Sequence, residues 1–143
     1  VGHAQDQYAN LVRGYVLEND LSDYVELQDH NSDLRSLRAT CDIGLTCSKK
    51  EAFGRVTVEN QMAGLLTIGS DTGGTLELID HEKTGLLYHE GDYINLADMI
   101  EYAFKNKDRM RLLAYSGYQN AVNMFSIDRV VDQVLDIYRS LLK

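Results

Sequence analysis

Proline and tryptophan are absent from this chain of 143 residues, and cysteine occurs only twice. Average proline usage is about 5%, so a chain of this length is expected to contain several. No run of about 18 apolar residues is present, and we therefore expect no membrane span. A basic segment followed by an apolar one is also missing, so we expect no signal peptide.

Basic residues are in the minority, with 14 Lys and Arg against 22 Asp and Glu and a net charge of −8. Nucleic-acid binding relies on clustered Lys and Arg, so this balance argues against a nucleic-acid partner and against direct membrane contact. Cys41 and Cys47 flank a predicted strand, and six extended residues span about 20 Å, which is too far for a disulfide. We therefore interpret them as buried or idle thiols in a reducing, cytoplasmic compartment.

The apolar pattern alternates between strand and helix, which predicts an α/β fold with a parallel sheet covered by helices on both faces. At this length a chain buries roughly 68–70% of its unfolded surface, enough for a core. The predicted elements are a helix at 5–18, a strand at 24–28, a helix at 33–39, a strand at 42–46, a helix from 55, the strand Leu66–Ser70, a helix at 75–81, the strand Leu86–Tyr88 and three closing helices.

Two of the closing helices carry apolar stripes at helical spacing. Ser126 is the predicted N-cap of the last of them. The stripes consist of Leu96, Met99, Ile100, Ala103 and Phe104, and of Val130, Val131, Val134, Leu135, Tyr138 and Leu141.

Glu51 and Glu59 are the most informative residues, because they stand eight positions apart around a Phe53-Gly54 turn. The apolar spacing after this turn predicts a helix that begins near Arg55. Glu51 would then lie in the preceding loop and Glu59 on the second helical turn. The first N–H groups of a helix are unpaired and attract anions, so a phosphate-and-sugar ligand suits this arrangement.

This run resembles the Glu-x7-Glu motif of the group 1 retaining glycosyltransferases, which have the two-domain GT-B architecture. The resemblance is ordered along nearly the whole chain. It continues through Gly64 to Ser70, Gly73 to Ile79, Thr84 to Leu87, Gly91-Asp92 and Phe125-Ser126. Prolines that are common in the family are replaced by Ala52, Leu66 and Leu76.

The resemblance implies a role for each residue of the motif. Glu51 would be the catalytic carboxylate, which holds the sugar hydroxyls and stabilises positive charge at the anomeric carbon. The backbone around Phe53, Gly54, Arg55 and Val56 would bind the donor, and Glu59 would accept hydrogen bonds from the ribose. The loop with His30 and Asn31 lies where relatives hold the base. Neither a metal nor a cofactor is expected from these residues.

The same resemblance predicts that residues 1–143 form a single partial nucleotide-sugar-binding domain, the C-terminal half of a GT-B enzyme without its first strand. The acceptor would be held by an N-terminal domain that this chain lacks. We therefore expect an exposed apolar seam, marginal stability and no transfer activity from the isolated chain.

Other interpretations remain open for several of these residues. Glu51 can be an ordinary loop acid, Glu59 a solvated helix acid and Phe53 a packing residue. Ser32 or Asp33 can simply cap the next helix, and Gly73-Gly74 can be a strand-to-helix turn or a phosphate cradle. The alternative functions are a non-catalytic nucleotide-sugar-binding module and a structural domain with a vestigial motif.

Overall fold

The computed structural model describes residues 7–28, 31–49 and 51–142 of the chain. Contacts between residues divide the chain into two units, Val1–Leu37 and Arg38–Lys143. The first unit contains the helix α1, Gln7–Glu18, and most of the short helix α2, Leu34–Arg38. The predicted helix at 5–18 is confirmed from residue 7 to residue 18. Its first two predicted residues, 5 and 6, lie outside the described ranges.

The predicted strand at 24–28 is wrong. The N–H groups of Tyr24 and Val25 both donate to the carbonyl oxygen of Leu21, so the segment starts as a turn. Within the described residues, no strand pairs with this segment. Because an isolated extended segment has no ladder of hydrogen bonds, its apolar residues alone do not make it a strand.

The helix α2 begins directly after Asp33, whose carboxylate accepts a hydrogen bond from the N–H of Ser36 over 3.0 Å. This is the geometry of an N-cap, as the capping interpretation of the loop predicted. The hydrogen bonds from the side chain and backbone of Ser36 hold the pKa of Asp33 below its ordinary value.

The second unit is built on a parallel sheet of three strands in the order β1-β2-β3. The strands are β1, Ile43–Thr46, β2, Leu66–Ser70, and β3, Leu86–Tyr88. Ile43 is opposite Leu66, and Ile68 is opposite Leu86. The central strand β2 is buried along its whole length. This is the Rossmann-like α/β fold that the alternating pattern predicted, and both β2 and β3 have the predicted bounds.

Five helices of the second unit follow β1. They are α3, Arg55–Met62, α4, Thr75–Leu78, α5, Tyr93–Lys105, α6, Lys107–Phe125, and α7, Ile127–Leu141. Helix α4 is shorter than the predicted 75–81 because Ile79 adopts an extended conformation with φ −115° and ψ 114°. The side chain of Ile79 is buried there, so core packing overrides the helical pattern.

The core lies between the sheet and the helices α3, α5 and α6. Its main cluster joins β2 and β3 to α5 and α6, and a smaller cluster joins α3, α4 and α6. The buried members are Leu66, Ile68, Leu86, Tyr88, Ala103, Met110, Leu113 and Ala114 in the first cluster, and Val58, Leu78 and Ala121 in the second.

The two predicted apolar stripes differ in how far they are buried. In α5, Ala103 is buried and Leu96 and Met99 pack against the core. In α7, no residue is buried, and Ser126 occupies the N-cap position without a capping hydrogen bond from its side chain. Leu45 of β1 is also exposed, at 43%. Of the helices in the described ranges, none combines the length and the apolar character that crossing a membrane requires.

Candidate donor site at the carboxyl edge of the sheet

The loops that follow β1, β2 and β3 meet at one edge of the sheet, because the three strands are parallel and in register. In open α/β sheets, ligands bind outside the carboxyl ends of the strands. Glu51 belongs to the loop after β1, and the Gly73-Gly74 turn belongs to the loop after β2. The predicted motif therefore stands at the edge where this class of fold places its ligands.

The Gly73-Gly74 turn is packed directly against the backbone of the motif. The N–H of Gly74 donates to the carbonyl oxygen of Glu51 over 2.8 Å. A Cβ atom at Gly74 would lie 2.6 Å from the carbonyl oxygen of Phe53, and one at Gly73 would collide with that of Glu51. These glycines thus form a strand-to-helix turn on which the motif loop rests.

Two hydroxyl groups from the end of β2 and the loop after it also bind the backbone of the motif loop before Glu51. The Oγ of Ser70, at the end of β2, donates to the carbonyl oxygen of Ser48 over 2.9 Å. The hydroxyl of Thr72 donates to the carbonyl oxygen of Lys49 over a longer 3.4 Å. Together with Gly74, these residues of the loop after β2 support the backbone at Ser48, Lys49 and Glu51.

The N-cap residue of helix α3 is Gly54, which has the left-handed conformation with φ +91° and ψ 46°. A Cβ atom at this position would lie 2.8 Å from a methyl group of Leu78 and 3.4 Å from the Cγ of Glu51. Glycine therefore meets both a conformational and a steric need here. Among the described residues, no side chain caps α3, so its first-turn N–H groups remain available beside the Glu51 loop.

A buried hydroxyl pair ties α3 to the sheet. The Oγ1 of Thr57 donates to the Oγ1 of Thr46, the last residue of β1, over 3.2 Å. Both threonines are buried. The pair fixes the start of the helix against the strand that carries the motif loop.

The exposed side chains of the motif have distinct environments. Phe53 is 51% exposed and packs edge to face against Phe125, with the ring centroids 5.7 Å apart and the planes at 84°. Arg55 and Val56 are exposed on the first turn of α3. The structure thus gives Phe53 a packing contact and leaves part of its ring open to a ligand.

Glu59 makes an ion pair that the sequence did not predict. Its Oε2 lies 2.6 Å from the Nη2 of Arg38, and the Nε of Arg38 donates to the Oδ1 of Asn60 over 3.0 Å. Arg38 stands 21 residues before Glu59, at the end of a helix with no motif character. No local pattern in the sequence marks such a long-range partner.

The loops after β2 and β3 are joined by a carboxylate and an imidazole. The Oδ2 of Asp71 lies 2.8 Å from the Nδ1 of His89, and its Oδ1 accepts from the N–H of Glu90 over 2.8 Å. The hydrogen bond between the two side chains is the main cause of a raised pKa for His89 and a lowered pKa for Asp71.

Tyr88 ends β3 beside these loops. Burial, and next a hydrogen bond with Cys47, raise the pKa of its phenol to about 12. Cys47 and Cys41 do not form a disulfide, as their spacing predicted, and both are exposed, so the expectation of buried thiols is wrong.

The predicted base loop lies in the first unit. Asn31 accepts a hydrogen bond through its Oδ1 from the N–H of Asp33 over 2.8 Å, a local turn contact. His30 is outside the described residues. In the described ranges, no three His, Cys, Asp or Glu side chains are grouped so that they would hold a metal ion.

Comparison with known proteins decides the family. A sequence model described as "Glycosyl transferases group 1" matches residues 1–120. The chain belongs to the group 1 glycosyltransferase family.

Individual relatives are consistent with this assignment. The chain is 29% identical over 123 residues to N-acetyl-alpha-D-glucosaminyl L-malate synthase of Bacillus anthracis, covering 86% of the chain. It is 30% identical over 106 residues to D-inositol 3-phosphate glycosyltransferase of Salinispora tropica, covering 74% of the chain. It spans 32% and 22% of the length of these two proteins.

Solved structures of glycosyltransferases share the fold. A glycosyltransferase from Rickettsia africae is 26% identical, with a TM-score of 0.91 over 99% of this chain and 38% of its own. HepE of Anabaena, solved in complex with UDP, is 25% identical, with a TM-score of 0.89 over 93% of this chain and 37% of its own. The fold is therefore that of the GT-B glycosyltransferases.

Proposed function

We propose that this chain is the donor-binding part of a retaining glycosyltransferase, which transfers a sugar from a nucleotide-diphosphate sugar to an acceptor. The single observation that carries this proposal is the geometry around Gly54. There, the left-handed glycine starts an uncapped helix next to the Cγ of Glu51. One anionic ligand can therefore meet backbone N–H groups and a carboxylate together.

In this proposal the backbone N–H groups of residues 53–56 bind phosphate and sugar oxygens. Glu51 accepts hydrogen bonds from the sugar hydroxyls and stabilises the positive charge that develops at the anomeric carbon, where an oxocarbenium-like centre needs a nearby anion. Glu59 accepts hydrogen bonds from the ribose. No metal ligand from this chain is part of the proposal.

One of the solved structures supports the proposed ligand class. HepE was solved with UDP, and that protein shares the fold and 25% of the aligned residues. We extend this ligand class, a nucleoside diphosphate, to the present chain, and the attached sugar is part of our proposal. The acceptor is assigned to an N-terminal domain of the parent protein. The exposed thiols of Cys41 and Cys47 fit a cytoplasmic location, where thiols stay reduced.

The test is calorimetric binding of UDP-, GDP- and ADP-sugars to the complete parent protein, with sugar transfer measured alongside. We expect one nucleotide to bind selectively, and Glu59→Ala to weaken it. Glu51→Gln should abolish transfer while leaving nucleotide affinity nearly unchanged. Glu101→Ala is the matched control, because Glu101 is a solvated helix acid paired with Lys105 on α5.

Two outcomes would contradict the proposal. If no nucleotide sugar binds, the motif is vestigial and the domain is structural. If the donor binds tightly but is never transferred by the wild-type protein, the chain is a nucleotide-sugar-binding module without catalysis.

A further inference from the structure

Arg38 connects two neighbouring side chains of α3 through one guanidinium group. Its Nη2 lies 2.6 Å from the Oε2 of Glu59, and its Nε donates to the Oδ1 of Asn60 over 3.0 Å. The planar guanidinium is rigid, so two bonds from different nitrogens fix its orientation. The side chain of Arg38 is only 17% exposed, whereas that of Glu59 is 46% exposed.

Asn60 anchors this arrangement to the sheet. It is buried, and its amide packs over Gly44 of β1, where any Cβ atom would collide with it. Asn60 therefore has little freedom to move, and it holds Arg38 in place. Arg38 in turn fixes one oxygen of the Glu59 carboxylate.

The other carboxylate oxygen, Oε1 of Glu59, accepts no hydrogen bond from the protein within the described residues. Arg38 thus holds the carboxylate through Oε2, whereas Oε1 is open to solvent. An oriented carboxylate with a free oxygen is a good acceptor for a ligand hydroxyl, because the loss of side-chain entropy has already occurred before binding.

Charge gives the pair a second effect. The chain carries a net charge of −8, and a nucleoside diphosphate is itself an anion. A carboxylate at the site repels such a ligand unless a cation lies close by. The guanidinium of Arg38 supplies that cation at hydrogen-bond distance from Glu59.

We propose that Arg38 is a positioning residue for donor binding, which orients the Glu59 carboxylate toward the ribose hydroxyls and offsets its charge. This inference rests on the proposed function of the motif. It adds a residue that the motif does not contain. Arg38 acts through Glu59 and does not itself touch the reacting atoms.

The test measures the affinity of the complete parent protein for UDP, GDP and ADP, and then for the 2′-deoxy and 3′-deoxy forms of the nucleotide that binds best. We expect Arg38→Met to weaken the ribonucleotide about tenfold, the effect typical of a lost hydrogen bond to a charged group. The same substitution should change the affinity for at least one deoxy analogue much less. A purely structural role would weaken all the nucleotides equally.

Two further variants keep the test decisive. Arg38→Lys keeps the charge but not the two-pronged geometry, so we expect an intermediate loss. In the Glu59→Gln background, Arg38→Met should have little additional effect, as a double-mutant cycle would show for a residue that acts through Glu59. Arg109→Met is the matched control, because Arg109 pairs with Glu82 at 3.0 Å on another part of the unit.

The outcomes separate this inference from the function on which it rests. If the wild-type protein binds a nucleotide and both Arg38→Met and Arg38→Lys bind it with the wild-type affinity, the inference fails and the proposed function stands. The inference also fails, with the function intact, if both variants lose affinity for ribo and deoxy nucleotides by equal factors. If the wild-type protein binds none of the three nucleotides, both fail.

Discussion

The N–H of Gly74 and the carbonyl oxygen of Glu51 are joined by a hydrogen bond of 2.8 Å. The two backbone segments approach closely around this hydrogen bond, which explains the adjacent glycines Gly73 and Gly74 in the loop after β2. The carbonyl groups of residues 51–53 approach the turn so closely that no side chain fits at either position. The turn after β2 therefore supports Glu51, the catalytic candidate in the loop after the neighbouring strand β1.

Gly74→Ala should displace the motif loop. The new Cβ atom would lie 2.6 Å from the carbonyl oxygen of Phe53 and 2.9 Å from that of Ala52, and all of these atoms belong to the backbone. We expect a loss of about 1–3 kcal/mol in the free energy of unfolding, and weaker donor binding by the parent protein. Thermal unfolding and calorimetry measure the two effects.

The control for this substitution is Gly14→Ala in α1, where a Cβ atom meets nothing within 4 Å. It should leave donor binding unchanged and stabilise the helix by roughly 0.5–1 kcal/mol. Normal donor affinity and stability in the Gly74→Ala protein would show that the motif loop does not rest on this turn.

The hydroxyl pair of Thr46 and Thr57 should behave non-additively. Thr57→Val leaves the buried hydroxyl of Thr46 without its partner, which costs about 1–3 kcal/mol of unfolding free energy. Replacing both threonines by valine removes the unpaired group, so the double variant should be closer to the wild type than either single one. Denaturant unfolding of the four proteins tests this, and strictly additive losses would contradict it.

His89 should titrate above its ordinary value of 6.5, because the Asp71 carboxylate stabilises the imidazolium. The sign follows from the raised folded-state pKa. The stabilisation from the pair is fully present at a pH below the pKa of His89 in the unfolded state. It is lost as the pH rises through the higher pKa of His89 in the folded state. For Asp71 the pKa is lowered from 3.8, so its stabilisation is lost as the pH falls through the folded value.

NMR titration of the His89 ring measures this directly. In Asp71→Asn the midpoint of the His89 titration should move down toward the ordinary value. An unchanged midpoint would show that the pair does not form in solution.

Tyr88 should ionise at a higher pH than the ordinary tyrosine value of 10.0. Burial, and next its hydrogen bond with Cys47, raise its pKa from 10.0 to about 12. Since the folded-state pKa is raised, its stabilisation is present below pH 10 and is lost as the pH rises toward 12. The difference between the phenolate absorbance titrations of the wild type and Tyr88→Phe should have its midpoint near the higher value, and a midpoint near 10 would contradict the prediction.

Local patterns predicted much of the fold. The strands Leu66–Ser70 and Leu86–Tyr88 have the predicted bounds, and α3 begins at Arg55 as predicted. These elements combine apolar periodicity with glycine-rich turns, and both signals are read from neighbouring residues. The segment at 24–28 has the same apolar character but no partner strand within the described residues, and it is not a strand.

The buried face of α3 could not be predicted in this way. It contains Thr57, Asn60 and Gln61, polar residues that periodicity assigns to the surface. Each of them forms a hydrogen bond with a distant group. The amide of Gln61, for example, donates to the carbonyl oxygens of Leu78 and Thr84 over 3.2 and 3.4 Å. Only the fold brings such partners within hydrogen-bond distance.

The sequence by itself determined the order of the elements from α2 onward, the family and the candidate motif from Glu51 to Glu59, because these depend on residue type and short spacing. The tertiary structure decided what holds that motif. It placed the Gly73-Gly74 turn under Glu51 and the guanidinium of Arg38 against Glu59. Both contacts join residues more than twenty positions apart, and no periodicity in the chain encodes a distance of that kind.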